Sequence, residues 1–335
     1  MDKRTKTKLG AALAALALVI AGGGYYFFHA DDDTPAYTMK MIQRSVEKHD
    51  TKTFYRMVDV DGVLDSGYDG FVEGLSSSVD ASTPDAKEAV REFAQILRGS
   101  LILTLKTAID SYVSTGDLNV DDGLIELLDR TGLNDAQVRD IKNIQVNDAD
   151  RNEAFADLII FQPGLNKEFP LHLILTRKDK VWKVTRVQNF KEYVAEVAEA
   201  ERASLHDYLV KVAEINSKHE AATRDAEQRY GLILAAGNLA KKETRDELKS
   251  LIDGVLKKDW EARKQELFAL HVPRDAKTLH NLYMKICDVA LAAAQDYSKW
   301  LDDNNPATIK AAEEKIHQVQ TLQTDAQALA KRMTS

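Results

Sequence analysis

Between Lys8 and His29 the chain runs twenty residues without a charge, LGAALAALALVIAGGGYYFF. As a helix rising ~1.5 Å per residue this segment is about 30 Å long, the thickness of a bilayer's hydrocarbon core. Lys3, Arg4, Lys6 and Lys8 precede it, and Asp31, Asp32 and Asp33 follow it. Basic residues stay on the cytoplasmic side. The run Leu9–Phe28 is therefore predicted to anchor the chain in a bacterial-type membrane, with its N-terminus inside and everything from about residue 30 outside. Tyr25 and Tyr26 suit the far headgroup layer, where a ring with one polar end is favoured. A cleaved signal peptide shares the basic start and the apolar run. A cut at Ala21-Gly22-Gly23 would satisfy the small-residue requirement, whereas a cut after Ala30 would place Phe28 where a small side chain is needed. Either route exports the chain, and with no cysteine near the span a lipid-anchored lipoprotein is excluded.

Without residues 1–28 the chain keeps 41 Lys and Arg against 52 Asp and Glu, a net charge of −11. Such an acidic outer part has no electrostatic footprint for nucleic acid or for an anionic membrane surface. Cys287 is the only cysteine, so no disulfide forms within the chain; it sits in an apolar helical stretch and reads as a small core residue. Stability has to come from packing.

The first outer region, 34–190, mixes helical and strand periods. Thr34-Pro35 is an N-cap followed by proline at the first helical position, and Tyr37, Met41 and Val46 mark an apolar stripe. Asp50 caps a second short helix through Phe54, Met57 and Val58, while Asp59 to Ser82 is too rich in Gly and Ser to assign. Thr83-Pro84-Asp85 starts a long helix whose apolar face is Ala86, Val90, Phe93, Leu97, Leu101, Leu105 and Ile109. Its middle, SLILTL, is apolar nearly all round and is predicted to be buried. A short helix is expected near Asp135 to Asp140, then four strands at Ile141–Asn147, Glu153–Phe161, Phe169–Thr176 and Val181–Gln188. Their connections have hairpin lengths and turn residues, so helices followed by a four-stranded antiparallel sheet make an α+β domain.

Residues Tyr37 to Val63, the helix end Ala108-Ile109-Asp110-Ser111-Tyr112-Val113 and the strand Val181-Trp182-Lys183-Val184 together resemble a bacterial domain-of-unknown-function family with one N-terminal span. The closing Lys/Asp turn and Trp-containing strand are similar to the cystatin-like and nuclear-transport-factor-2-like class of α+β folds. The resemblance covers residues ~35–190 and implies a fold and a location, with no known activity.

The second region, 191–335, is helical throughout. Val194, Ala198, Leu205, Tyr208, Val212, Ile215, Ala222, Ala226 and Ile233 follow a heptad interrupted by Glu201, His219 and Arg229. Gly237-Asn238, Val272-Pro273 and Asn305-Pro306 divide the remainder into three further amphipathic helices. Short breaks between long helices favour an antiparallel bundle over a protruding coiled-coil hairpin.

No chemistry-bearing motif stands out. Asp117, Asn119 and Asp121 have calcium-loop spacing, but glycine comes one place late at Gly123 and Leu128 stands where a bidentate acid belongs; Asp59 and Asp61 fail similarly. The eight histidines form no zinc spacing, although His271 and His280 flank Pro273 and His172 falls on the polar face of its strand. Trp182, Trp260 and Trp300 fit core packing better than a ligand box. No catalytic, cofactor-binding or metal-ligating residues are assigned, and no cofactor is expected. The leading functional expectation is a non-enzymatic interaction or scaffold module of the cell envelope, with a protein partner or self-association through 190–335. The alternative is a small-ligand binder or enzyme with a cavity lined by Phe93–Leu105 and Phe169–Thr176, and a third is a spacer acting by length alone.

Arginine at the centre of a span costs about 3 kcal/mol. Carbonate-washed membranes should therefore retain the wild-type chain and release a Leu16→Arg/Leu18→Arg variant; retention of both would remove the proposed span.

Overall fold

The inner face of the sheet is set by strict alternation. In β2 (Glu153–Gln162) Ala154, Ala156, Leu158 and Ile160 are buried, and in β3 (Lys167–Lys178) Phe169, Leu171, Leu173 and Leu175 are buried. With β1 (Gln137–Val146) and β4 (Val181–Val187) they form an antiparallel sheet in the order β1-β2-β3-β4. Leu158 lies opposite Leu171 and Asp157 opposite His172, so one register puts this buried apolar set on one face, while the other mixes Asp157 and His172 with Phe155, Ile159, Phe161 and Ile174. The two-residue turn Asp179-Lys180 has φ of 51° and 65° at its positions, the twist that suits a tight hairpin. The computed structural model describes residues 33–78, 84–117 and 136–334. The anchor segment 1–30, the acidic stretch beyond Asp117 and Asp135 lie outside them. Among the described residues no helix is long and apolar enough to cross a membrane.

Four helices precede the sheet: α1 (Pro35–Glu47), α2 (Thr51–Met57), α3 (Val60–Ser78) and α4 (Pro84–Thr115). The first two start where their caps predict, Thr34 Oγ1 accepting from the Tyr37 amide and the Asp50 carboxylate from the Thr53 amide. They bind β4 directly. Thr38 donates to the Trp182 carbonyl at 3.1 Å, and the Asp59 amide donates to the Val184 carbonyl at 2.8 Å.

Two expectations need correction, and one unassigned segment is resolved. Residues 137–140 are strand, not helix: Gln137 faces Phe161 and Val138 faces Ile160, and the Arg139 guanidinium lies 4.1 Å from the Phe161 ring centroid. Pairing with β2 overrides the local signal there. The Gly- and Ser-rich segment after Asp59 is the helix α3. Its glycines allow close approach rather than turning: a Cβ on Gly62 would come within 2.6 Å of the Thr185 carbonyl, and one on Gly70 within 3.1 Å of Phe190 Cβ. The middle of α4 is not buried all round, since Ile96 is 78% and Leu103 66% exposed. There α4 packs along α3, with Arg98 bridging Asp65 and Asp69 and Lys106 bridging Asp61; Leu101, Ile102 and Leu105 lie half-buried against the core, and Ala108, Ile109 and Val113 are fully within it.

The chain divides into two compact units, Met1–Glu201 and Arg202–Ser335. Helix α5 (Phe190–Ala236) crosses the division: Phe190, Tyr193, Val194 and Val197 belong to the first core, Tyr208 and Val212 to the second. The second unit continues with α6 (Lys242–Leu251), a π-helical turn (Ile252–Leu256), α7 (Lys257–Phe268), a 3₁₀ turn (Arg274–Ala276), α8 (Lys277–Asp303) and α9 (Pro306–Thr334). Leu267, Leu279, Tyr283, Ile286, Leu322 and Ala326 close a bundle core around the α5 residues. Asn304, at φ 50°, ends α8 in the left-handed conformation just before Asn305-Pro306 starts α9.

Leu171 and Leu103 are the same side chain in opposite environments. Leu171→Ala should destabilise the first unit by about 3 kcal/mol and Leu103→Ala by less than about 0.5 kcal/mol, read from urea unfolding of that unit. Equal effects would contradict the burial described.

Candidate functional site

The apolar stripe of α5 passes through Val212, Ile215, His219, Ala222 and Ala226 at three- and four-residue spacing, which carries a histidine into the interior. His219 is 2% exposed. Facing it on α7 are Asp259 and Arg263, four residues apart and therefore on one side of that helix. His219 Nδ1 lies 2.7 Å from Asp259 Oδ1, so with an ionised carboxylate the proton sits on Nδ1. Nε2 points toward Glu266 Oε1 at 3.5 Å, and Glu266 also accepts from Lys218 at 2.6 Å, which holds its carboxyl below the usual range. Arg263 is buried as well. It donates to Asn216 Oδ1 at 2.6 Å and lies 4.8 Å from the Trp260 ring centroid, and burial pulls its guanidinium below its ordinary pKa.

Three buried polar atoms of this cluster, His219 Nε2, Asp259 Oδ2 and Arg263 Nε, have no hydrogen-bond partner. Native interiors hold few such atoms, so three within one contact set mark a constrained place. Among the described residues no group of three His, Cys, Asp or Glu side chains could hold a metal ion.

Farther along the same helices the interior opens. A cavity of about 420 Å³ lies within the helical unit, walled by Tyr230 of α5, Ile252 and Leu256 of the π-turn, Trp260 of α7, and Ala290 and Tyr297 of α8, with Glu227 and residues of α9 completing it. Small side chains on α8 leave the space, and aromatic ones line it. The Tyr230 and Tyr297 hydroxyls are hydrogen-bonded to each other, and Trp300 meets Tyr297 edge-on with centroids 5.3 Å apart. The π-turn is fixed from α8, where the buried Ser298 hydroxyl donates to Asp253 at 2.8 Å. Trp260 joins the two features, forming cavity wall while carrying the Arg263 guanidinium over its ring. Comparison with protein-family models, curated proteins and solved structures finds no match for this chain.

The residues singled out in the sequence are placed as follows. His280 sits beside Tyr208, Nδ1 3.3 Å from the hydroxyl, and burial lowers its pKa. His172 is on the outer sheet face with Nδ1 2.6 Å from Asp157. Asp59 caps α3 by accepting from the Gly62 amide at 3.2 Å, and Asp61 pairs with Lys106. Trp182 is core, its indole donating to the Asp33 carbonyl at 3.1 Å. Phe169, Leu171, Leu173 and Leu175 are packed in the first core. Sequence reasoning treated His219 as a break in the heptad; the signal available was its position, on the stripe itself.

Asp259→Ala leaves the buried His219 Nδ1 without its acceptor and should cost the helical unit about 2–4 kcal/mol, with Asp259→Asn recovering part of it. Urea unfolding measures both, and a neutral Asp259→Ala would show the contact to be energetically idle. Burial pushes the Cys287 thiol up to about 11. Its thiolate fraction near pH 8 is then about 100-fold below that of a free cysteine. Iodoacetamide should modify Cys287 only after unfolding, and rapid alkylation of the folded chain would contradict this placement.

Proposed function

We propose that this chain is a membrane-tethered, non-catalytic binding module of the extracytoplasmic face, and that its working part is the helical unit. The observation that carries the reading is the cleft of about 420 Å³ in that unit, open to solvent on the side of Glu227, Ile316 and Gln320 and of a volume typical of small-molecule sites. Its wall is mainly aromatic and aliphatic, with Thr223, Glu227, Gln320 and Gln323 as the polar members. Two further features support a built site. Wall residues Ile252 and Leu256 belong to a π-turn, a rare distortion that occurs frequently at functional sites. Trp260 carries the buried Arg263 guanidinium over its ring at 4.8 Å, a contact that fixes a wall side chain by packing. The uncharged run Leu9–Phe28 with four cations before it supports the tether, and the resemblance of residues ~35–190 to an anchored α+β family supports the same location.

A second reading, self-association or a protein partner through 190–335, is favoured by a different observation. Leu232, Leu234 and Leu239 are exposed around the end of α5, Leu232 at 70%. Large apolar side chains grouped on a surface mark contact sites.

A neutral aromatic probe separates the two. N-phenyl-1-naphthylamine should bind one per chain, with energy transfer from Trp260, and Ala294→Leu should weaken it at least tenfold by filling the space. Binding that ignores Ala294→Leu but falls with Leu232→Ser, together with a concentration-dependent dimer in sedimentation, would favour the surface reading instead.

A further inference from the structure

The charges around the cavity allow its ligand to be classed, an inference that rests on the binding reading above. Of all the side chains lining it, Glu227 alone carries a formal charge, and among the described residues Glu227 makes no ion pair. It is exposed, so its carboxylate stands at the mouth. The neighbouring cations of α5, Arg224 and Arg229, do not line the space. A carboxylate-bearing or phosphate-bearing ligand would therefore meet a single negative charge and no positive one. Inside the mouth stand Tyr230, Trp260 and Tyr297. Because the two tyrosine hydroxyls bond each other, they contribute ring surface more than hydrogen-bond donors. Rings present a negative face, and three of them behind one carboxylate form the arrangement that attracts an organic ammonium group. Ile252, Leu256 and Ala290 offer an apolar stretch of wall that suits a hydrocarbon body, alongside the uncharged polar Thr223, Gln320 and Gln323.

We propose that the cavity binds a small lipophilic organic cation, its ammonium group between Glu227 and the aromatic side chains and its hydrocarbon part against Ile252, Leu256 and Ala290. Glu227 sets the preference for charge, and Trp260 supplies the ring that a methylated ammonium contacts.

The test uses three probes of one shape on the full-length chain in detergent: benzyltrimethylammonium, its uncharged carbon isostere neopentylbenzene, and phenylmethanesulfonate. Affinities are read by calorimetry and by Trp260 fluorescence. The cation should bind at least tenfold tighter than the isostere, and the sulfonate weakest. Glu227→Gln should remove most of that preference while leaving the isostere's affinity unchanged, and the preference should fall as salt is raised. Trp260→Leu should weaken the cation more than Trp260→Phe does. If the isostere binds as well as the cation, or if Glu227→Gln leaves the preference intact, the cation assignment is overturned and the binding reading survives. If none of the three binds, and N-phenyl-1-naphthylamine binding ignores Ala294→Leu, the binding reading itself fails. Circular dichroism of each variant verifies folding; should Glu227→Gln unfold, Glu227→Ala and the salt dependence of the wild type decide the same question.

Discussion

A straight α-helix that carries interior residues every four positions turns its face away by about 40° at each step. Leu248, Ile252, Leu256 and Trp260 take three such steps, a drift of about 120° by which Trp260, Arg263 and Leu267 would point away from the bundle. The π-turn at Ile252–Leu256 takes up one extra residue and restores roughly 100° of that drift. With it, Leu248 and Ile252 pack against Leu301 in one cluster, while Leu267 joins Tyr208, Tyr283 and Ile286 in the other. The His219–Asp259 contact and the cavity wall both depend on this phase, since each draws on residues from α7 as well as from the opposing helices.

The helical unit therefore concentrates its unusual features along one line. A buried imidazole is held by Asp259, a buried guanidinium stacks on Trp260, and Trp260 is a wall of the cavity. Buried polar groups of this kind contribute little net stability compared with an apolar core, and losing one partner is expensive. What they provide is position: Arg263 and Asn216 fix α7 against α5, which holds the aromatic wall in place. The α+β unit shows the opposite design. Its sheet presents an unbroken apolar face, and its helices tie themselves to β4 through backbone groups at Trp182 and Val184. Among its described residues the buried polar side chains are each satisfied: Thr38 donates to the Trp182 carbonyl at 3.1 Å, Ser45 to the Ile42 carbonyl at 2.6 Å, and Gln162 to the Tyr193 hydroxyl at 2.7 Å.

Much of this was legible in the residues. Alternation in β2 and β3 gave the sheet and its buried face, because a period of two has only one structural meaning over eight or more residues. Thr34, Asp50 and Pro306 marked helix starts, because a cap acts within four residues and needs no tertiary partner. The α3 helix was hidden because Gly62 and Gly70 look like turn residues until a second element is seen pressed against them. The solvent-facing part of α4 was misjudged for the converse reason: Ile96 and Leu103 are apolar, but burial depends on what lies opposite, and one neighbouring helix covers only one side.

The sequence by itself determined the uncharged segment before residue 30, the acidic charge of the remainder, the α+β and helical division and most element boundaries. These follow from local propensity, periodicity and charge, which neighbours along the chain settle among themselves. Only the tertiary structure decided the π-turn, the burial of His219 opposite Asp259, and the cavity behind Glu227. Each of these joins residues 40 or more positions apart, His219 to Asp259 and Tyr230 to Tyr297 among them, through contacts that exist only once separate helices share one core. A heptad can announce that position 219 faces inward, but only the packed helices determine which acid receives it.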